Sequence, residues 1–172
     1  MEKLPGMWRT ELWHPLFVHF PIALLLIATL IIIFYRLNLL PKWYKHLSLN
    51  ALLLLIPGTI FAWISIYTGT LADNVIGREV CDPIVLENHE RFAYLTAYLF
   101  SAATLIEIIL HKWNQGIFTP GNKIRKAFAI LSLVLVLGGS ISIGYVGHLG
   151  AKLVYQQAAG VHQPSEDCKE FE

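Results

Sequence analysis

Residues 12–35 read LWHPLFVHFPIALLLIATLIIIFY, a run of 24 residues without Asp, Glu, Lys or Arg. About 20 apolar residues are enough to cross the hydrocarbon core of a bilayer as a helix. Two further uncharged runs, of 27 and 25 residues, cover 46–72 and 127–151, and the 20 residues of 92–111 contain a single acid, Glu107. We therefore predict an all-α integral membrane protein with four transmembrane helices, at about 15–35, 47–71, 89–111 and 127–150.

The composition agrees with a membrane protein. Of the 172 residues, 55% are apolar and 15% are charged, whereas soluble domains average about 25% charged residues. The segments outside the four spans are too short to bury a second core, so residues 1–172 are expected to form one membrane domain with a tail at 151–172. No internal repeat is apparent. A net charge of +1, without basic clusters, argues against nucleic-acid binding.

The charges predict the orientation of the bundle. Short connections between spans one and two and between spans three and four favour antiparallel neighbours in an up-down bundle. These two connections carry only cations, and short positive loops stay on the cytoplasmic side. Both termini are therefore expected outside, in the periplasm if the protein lies in a bacterial inner membrane. The seven cations are Arg36, Lys42, Lys45, Lys112, Lys123, Arg125 and Lys126.

Histidines collect on the predicted outer side. Helix one begins near two of them, helix three begins near a third and helix four ends near a fourth, so an antiparallel bundle brings imidazoles from three helices to one depth. Neutral imidazole binds haem iron, copper and zinc, and ionisable residues within a membrane indicate function. We expect a haem b held by two histidines, or another metal. The outer histidines are His14, His19, His89, His148 and His162.

We expect His19 to be the first haem ligand, because it lies deepest among apolar neighbours, where a hydrated ring would gain least. His148 is expected opposite, since Gly144 and Gly147 lack side chains that would keep a porphyrin away from helix four. Two other readings stay open: small residues in membrane helices often serve packing, and an interfacial histidine is often only solvated. The order of expected ligands is His19, His148, His89 and then His14 as an alternative or supporting residue.

Local signals add expectations about the first helix and about Glu107. Pro15 suits the first helical position, which predicts that His14 caps the helix. Pro21 removes a backbone donor within the helix, which should bend there. Glu107 lies one turn before His111 and is expected to pair with it near the inner boundary, where His46 is expected too.

Cys81 and Cys168 both fall on the predicted outer side. An oxidising compartment favours a disulfide between them, although two free thiols or a metal site remain alternatives. Neither lies in the Cys-x-x-Cys-His pattern that attaches c-type haem.

Several motifs resemble one family. They are His14-Pro-Leu-Phe-Val-His19-Phe-Pro-Ile-Ala, Thr68-Gly69, His89 at the head of helix three, and Gly147-His-Leu-Gly-Ala-Lys-Leu-Val-Tyr155. Over roughly residues 12–161 they resemble the bacterial four-helix membrane proteins grouped as domain of unknown function 2231. Relatives often read Leu-Val-Tyr-x-His-Gly in the last motif, where this chain has Gln157 and Ala158.

The resemblance implies an inner-membrane protein, and some relatives are joined to c-type cytochrome domains, which favours electron transfer. The function expected first is a haem b membrane cytochrome, more an electron-transfer subunit than a stand-alone enzyme, with quinol or a c-type cytochrome as redox partner. The alternatives are a cofactor-free structural or assembly subunit of a respiratory complex and a metal-handling protein. The only methionines, Met1 and Met7, offer little to copper.

Overall fold

The computed structural model describes residues 6, 8–39, 42, 44–116 and 121–161. These residues form helices and turns and no strand, as predicted. The four long helices are α1 (Trp13–Arg36), α2 (Tyr44–Ile76), α3 (Pro83–Asn114) and α4 (Asn122–Gln157). Short 3-10 turns, Thr10–Leu12 and Gly77–Glu79, precede α1 and follow α2.

All four helices are long and apolar enough to cross a membrane. Each predicted span lies inside an observed helix, and each helix is longer than predicted. The largest difference is in α4, which continues to Gln157, seven residues into the predicted tail. Leu153 explains the extension because its side chain packs into the bundle at 7% exposure. Ala158, with a φ of 53°, then ends the helix in the left-handed conformation.

Helix packing follows the expected up-down order. The closest neighbours are α1 with α2 and α3 with α4, while α2 with α3 and α1 with α4 complete the ring. Helices α1 and α3 are therefore diagonal. Fully buried Leu25, Ile32, Leu55, Phe100 and Val136 fill the centre.

Large apolar side chains also cover the outer surface of the bundle. Leu105 is 62% exposed and Ile141 is 76% exposed, among many others. A soluble monomer rarely exposes apolar surface this widely, so the outer surface is suited to contact lipid.

The two helical hairpins, α1 with α2 and α3 with α4, make equivalent close contacts, a repeat that is not apparent in the sequence. A Cβ added to Gly58 in α2 would lie 2.7 Å from Leu25 Cδ2 in α1. Likewise, a Cβ added to Gly139 in α4 would lie 2.6 Å from Phe100 Cε2 in α3. In both hairpins the second helix therefore uses a glycine to admit a large side chain from the first.

Hydrogen bonds between the hairpins repeat in the same way. Ser140 in α4 donates to Thr29 in α1 over 3.0 Å, and Thr59 in α2 is 2.9 Å from Thr104 in α3. Equivalent positions are 75 residues apart in α1 and α3 but 81 apart in α2 and α4. The unequal spacing and different residue types hide the repeat from a sequence comparison.

Candidate functional site

Two histidines from the diagonal helices meet near one end of the bundle, which we call the histidine end. The ring centroids of His14 in α1 and His89 in α3 are 6.0 Å apart, with an angle of 85° between the ring planes. Both rings are partly buried. The pair brings together residues that are 75 positions apart in the chain.

Backbone carbonyls fix both imidazoles. His14 Nδ1 donates to the carbonyl oxygen of Ser65 in α2 over 2.9 Å, and His89 Nδ1 donates to that of Val146 in α4 over 3.1 Å. A carbonyl oxygen only accepts, so the hydrogen of each neutral ring must lie on Nδ1. Each Nε2 then keeps its lone pair, which is the arrangement found in most histidines that bind metals.

Two glycines allow the helix backbones to approach these rings. A Cβ added to Gly69 in α2 would lie 3.2 Å from His14 Nδ1 and Cε1. A Cβ added to Gly150 in α4 would lie 3.2 Å from His89 Cε1. In each hairpin the bonded carbonyl lies four residues before the glycine, at Ser65 and Val146. The site is therefore built twice by the same local arrangement, once in each hairpin.

The start of each helix differs from the prediction. Helix α1 begins at Trp13 after a 3-10 turn, with Leu12 as its N-cap, so the expectation that His14 caps the helix is wrong. The His14 side chain instead crosses to α2. Helix α3 begins at Pro83, and Asp82 caps it by accepting from Ile84 N. Asp followed by Pro is a strong start signal that could have placed His89 inside the helix.

The structure places the two histidines expected to rank first outside this pair. His19 is exposed, and its Nδ1 donates to the carbonyl of Pro15 in the same helix over 2.6 Å. His148 is exposed as well. It lies about 200° around α4 from Gly150, at about 100° per residue, and so on nearly the opposite face. Ligation by His19 and His148 stays a prediction, and the histidines that the structure brings together are His14 and His89.

The glycines expected to line the site also face outward. Gly144 and Gly147 are exposed, and an added Cβ would meet nothing within 4 Å at either. Gly139 and Gly150 lie on the same face of α4, because eleven residues make about three helical turns. That face is turned to the interior, where the two glycines contact Phe100 and His89. Gly58 and Gly69 in α2 have the same spacing.

The donor set around the pair is small. No group of three or more His, Cys, Asp or Glu suited to a metal ion occurs within the described part of the chain. His162 and Cys168 lie outside the described residues. Cys81 is exposed, and its predicted disulfide with Cys168 stays a prediction.

A second polar cluster lies at the opposite end, where α1 and α3 end; we call this the cationic end. Glu107 is only 2% exposed and accepts from Arg36 Nη2 over 2.6 Å. Tyr35 and Ser132 also donate to its carboxylate. The expected pair with His111 is wrong: His111 is instead hydrogen-bonded to Gln115 over 2.9 Å. The contact between Glu107 and Arg36 did have a sequence signal: one apolar span contains a lone acid, and another ends in an arginine.

Comparison with known proteins agrees with this architecture. Residues 12–163 match the family described as Predicted membrane protein (DUF2231). No curated protein and no solved structure matches the chain. Because the match spans most of the chain and all four membrane helices, this protein belongs to the DUF2231 family of predicted membrane proteins.

Proposed function

We propose that this chain is a membrane cytochrome in which His14 and His89 hold a haem b by bis-histidine ligation. The observation that carries the proposal is the neighbouring pair, with both Nδ1 atoms committed to backbone carbonyls. That arrangement selects the tautomer in which Nε2 is available to a metal, and it holds each ring in place before a metal binds.

The spacing of the rings fits a shared metal. Two imidazoles that share one ion would have ring centres about 6 Å apart, because each metal–nitrogen bond is about 2 Å long and each ring centre lies beyond its nitrogen. The observed centroid separation is 6.0 Å. Three or more protein ligands, which a zinc site ordinarily uses, do not occur together in the described residues. The donor set therefore favours haem, whose four remaining ligands come from the macrocycle itself.

The neighbouring helices support the two proposed ligands. At the depth of the rings, α2 and α4 present Gly69 and Gly150, so each helix backbone packs directly on one imidazole and limits its movement. Haem in such a site supplies reversible one-electron transfer, and the protein tunes its potential through the ligands, their hydrogen bonds and burial. The carbonyls of Ser65 and Val146 would raise the basicity of both imidazoles.

The proposed orientation places this site near the outer face of a bacterial inner membrane, with both termini in the periplasm. It rests on the cations of the two short connections. A quinol would then be the donor from the membrane, and a c-type cytochrome the acceptor outside. In this role the chain acts as an electron-transfer subunit.

The test is an absorption spectrum of the purified protein from haem-replete cells, oxidised and then reduced with dithionite. We expect a low-spin haem b spectrum with a reduced α-band. Single His14→Ala and His89→Ala variants should lose it, whereas the matched variants His19→Ala and His148→Ala should keep it. A colourless, iron-free wild type would overturn the haem proposal and favour a cofactor-free subunit. Loss only in the His19 and His148 variants would move the ligands to that pair.

A further inference from the structure

A cavity of about 310 Å³ lies at the cationic end, between the ends of α1 and α3 and the start of α4. It lies at the opposite end of the bundle from the paired histidines and is independent of the proposed haem. Two of its lining residues are apolar. The polar ones are Arg36, Asn114, Asn122, Arg125 and Lys126.

The cavity is strongly positive. Three lining residues are cations, two are amides, and none of the described lining residues is acidic. Helix α4 begins at Asn122, and its N-cap, Gly121, provides no side-chain acceptor. The first amides of a helix lack intrahelical partners and carry partial positive charge. Side chains and helix end therefore add to the same field.

Arg36 carries one donor that the described residues leave unused. Its side chain is 14% exposed, and Nη2 is paired with Glu107 over 2.6 Å. Its Nε is buried and has no hydrogen-bond partner among the described residues. A buried donor of a charged group without an acceptor is costly. Glu107 balances the charge of Arg36, and Arg125 Nη2 donates to the neutral side-chain oxygen of Asn114. The charges of Arg125 and Lys126 therefore remain for a ligand.

We propose that this cavity binds a phosphate group, carried by an anionic phospholipid or by inorganic phosphate. Arginine presents planar, paired donors that match phosphate oxygens. Basic pockets between membrane helices on the cytoplasmic side bind the head groups of anionic lipids. The cationic end of a membrane-spanning bundle lies at the depth of those head groups.

The experiment uses the full chain in detergent and measures retained lipid by native mass spectrometry and thermal unfolding in the presence of each probe. The probes are dioleoylphosphatidylglycerol, dioleoylphosphatidylcholine, and sodium phosphate against sodium chloride at equal ionic strength. The test variant is Arg125→Gln with Lys126→Gln. The matched control is Lys112→Gln with Lys123→Gln, which removes the same charge from exposed residues outside the cavity.

We expect the wild type to retain phosphatidylglycerol in preference to phosphatidylcholine. The test variant should bind it about 25-fold more weakly, since each cation near the membrane surface contributes about five-fold. The control variant should match the wild type. Stabilisation by phosphatidylglycerol alone would assign a lipid head group, and stabilisation by sodium phosphate as well would assign the phosphate group itself.

Two results would overturn the site. One is equal weakening in the test and control variants, which would show only a diffuse surface charge. The other is a wild type that shows no preference for phosphatidylglycerol over phosphatidylcholine and no stabilisation by sodium phosphate relative to sodium chloride. Both measurements can be made on colourless protein, so their result is separate from that of the haem spectrum.

Discussion

Replacement of Gly150 by alanine tests how closely α4 supports the histidine pair. The new Cβ would lie 3.2 Å from His89 Cε1, while ordinary contacts at such positions are 3.4–4 Å. The His89 ring must therefore move by a few tenths of an ångström. The ring is held by its hydrogen bond to the Val146 carbonyl over 3.1 Å, so a displacement also disturbs the bond that orients the ring.

The expected magnitude follows from a comparison with Gly147→Ala in the same helix. An alanine gains about 1 kcal/mol of helix propensity over glycine at either position, so that gain cancels in the comparison. Overpacking of an interior contact costs about 1–3 kcal/mol, and it arises only at Gly150, because Gly147 faces open space. Gly150→Ala should thus be about 1–3 kcal/mol less stable than Gly147→Ala.

The assay measures thermal unfolding of both variants in the same detergent, together with the ratio of haem absorbance to protein absorbance. Gly150→Ala should unfold several degrees below Gly147→Ala and load less haem, while Gly147→Ala should load as much as the wild type. Equal unfolding temperatures for the two variants would refute the close packing of α4 on His89. A lower unfolding temperature with unchanged haem loading would confirm the packing and separate it from ligation.

Three further predictions address the buried carboxylate, the orientation and the disulfide. Glu107→Leu should lower the free energy of unfolding by about 3–5 kcal/mol because it leaves a buried Arg36 unpaired. The double variant with Arg36→Leu should recover part of this in denaturant titrations, since Tyr35 and Ser132 still lose the carboxylate as acceptor; no recovery would show that the ion pair is not the cause. Alkaline phosphatase fused to the C-terminus should be active and a fluorescent protein fused there dark, whereas the reverse pattern would place the tail in the cytoplasm. Unreduced, denatured protein should resist alkylation at Cys81 and Cys168, and full labelling of both would contradict the disulfide.

The four spans were readable from the sequence because the membrane fixes element length. A helix that crosses hydrocarbon needs about 20 apolar residues without charge, so the uncharged runs predicted α1, α2 and α4 directly. The shortness of the connections between α1 and α2 and between α3 and α4 predicted antiparallel neighbours. Hydropathy did not predict the additional turns at the helix ends. Those turns depend on capping residues, such as Asp82 before Pro83 at the start of α3.

The rotation of each helix about its axis was beyond the sequence. In a soluble helix, a polar face shows which side is exposed. Here the interior and the outward face are both apolar: Leu25 is fully buried while Leu30 in the same helix is 55% exposed. Hydrophobicity therefore could not show that Gly147 faces outward and Gly150 inward.

The sequence alone determined the number of spans, the apolar character of the chain and the collection of histidines towards one end, since each follows from residue type and distance along the chain. Only the tertiary structure decided that His14 meets His89 and that Glu107 meets Arg36. Those contacts depend on how four helices are rotated and paired. In a chain that is apolar on every side, packing between helices sets that rotation, and it does so through particular glycines and hydrogen bonds.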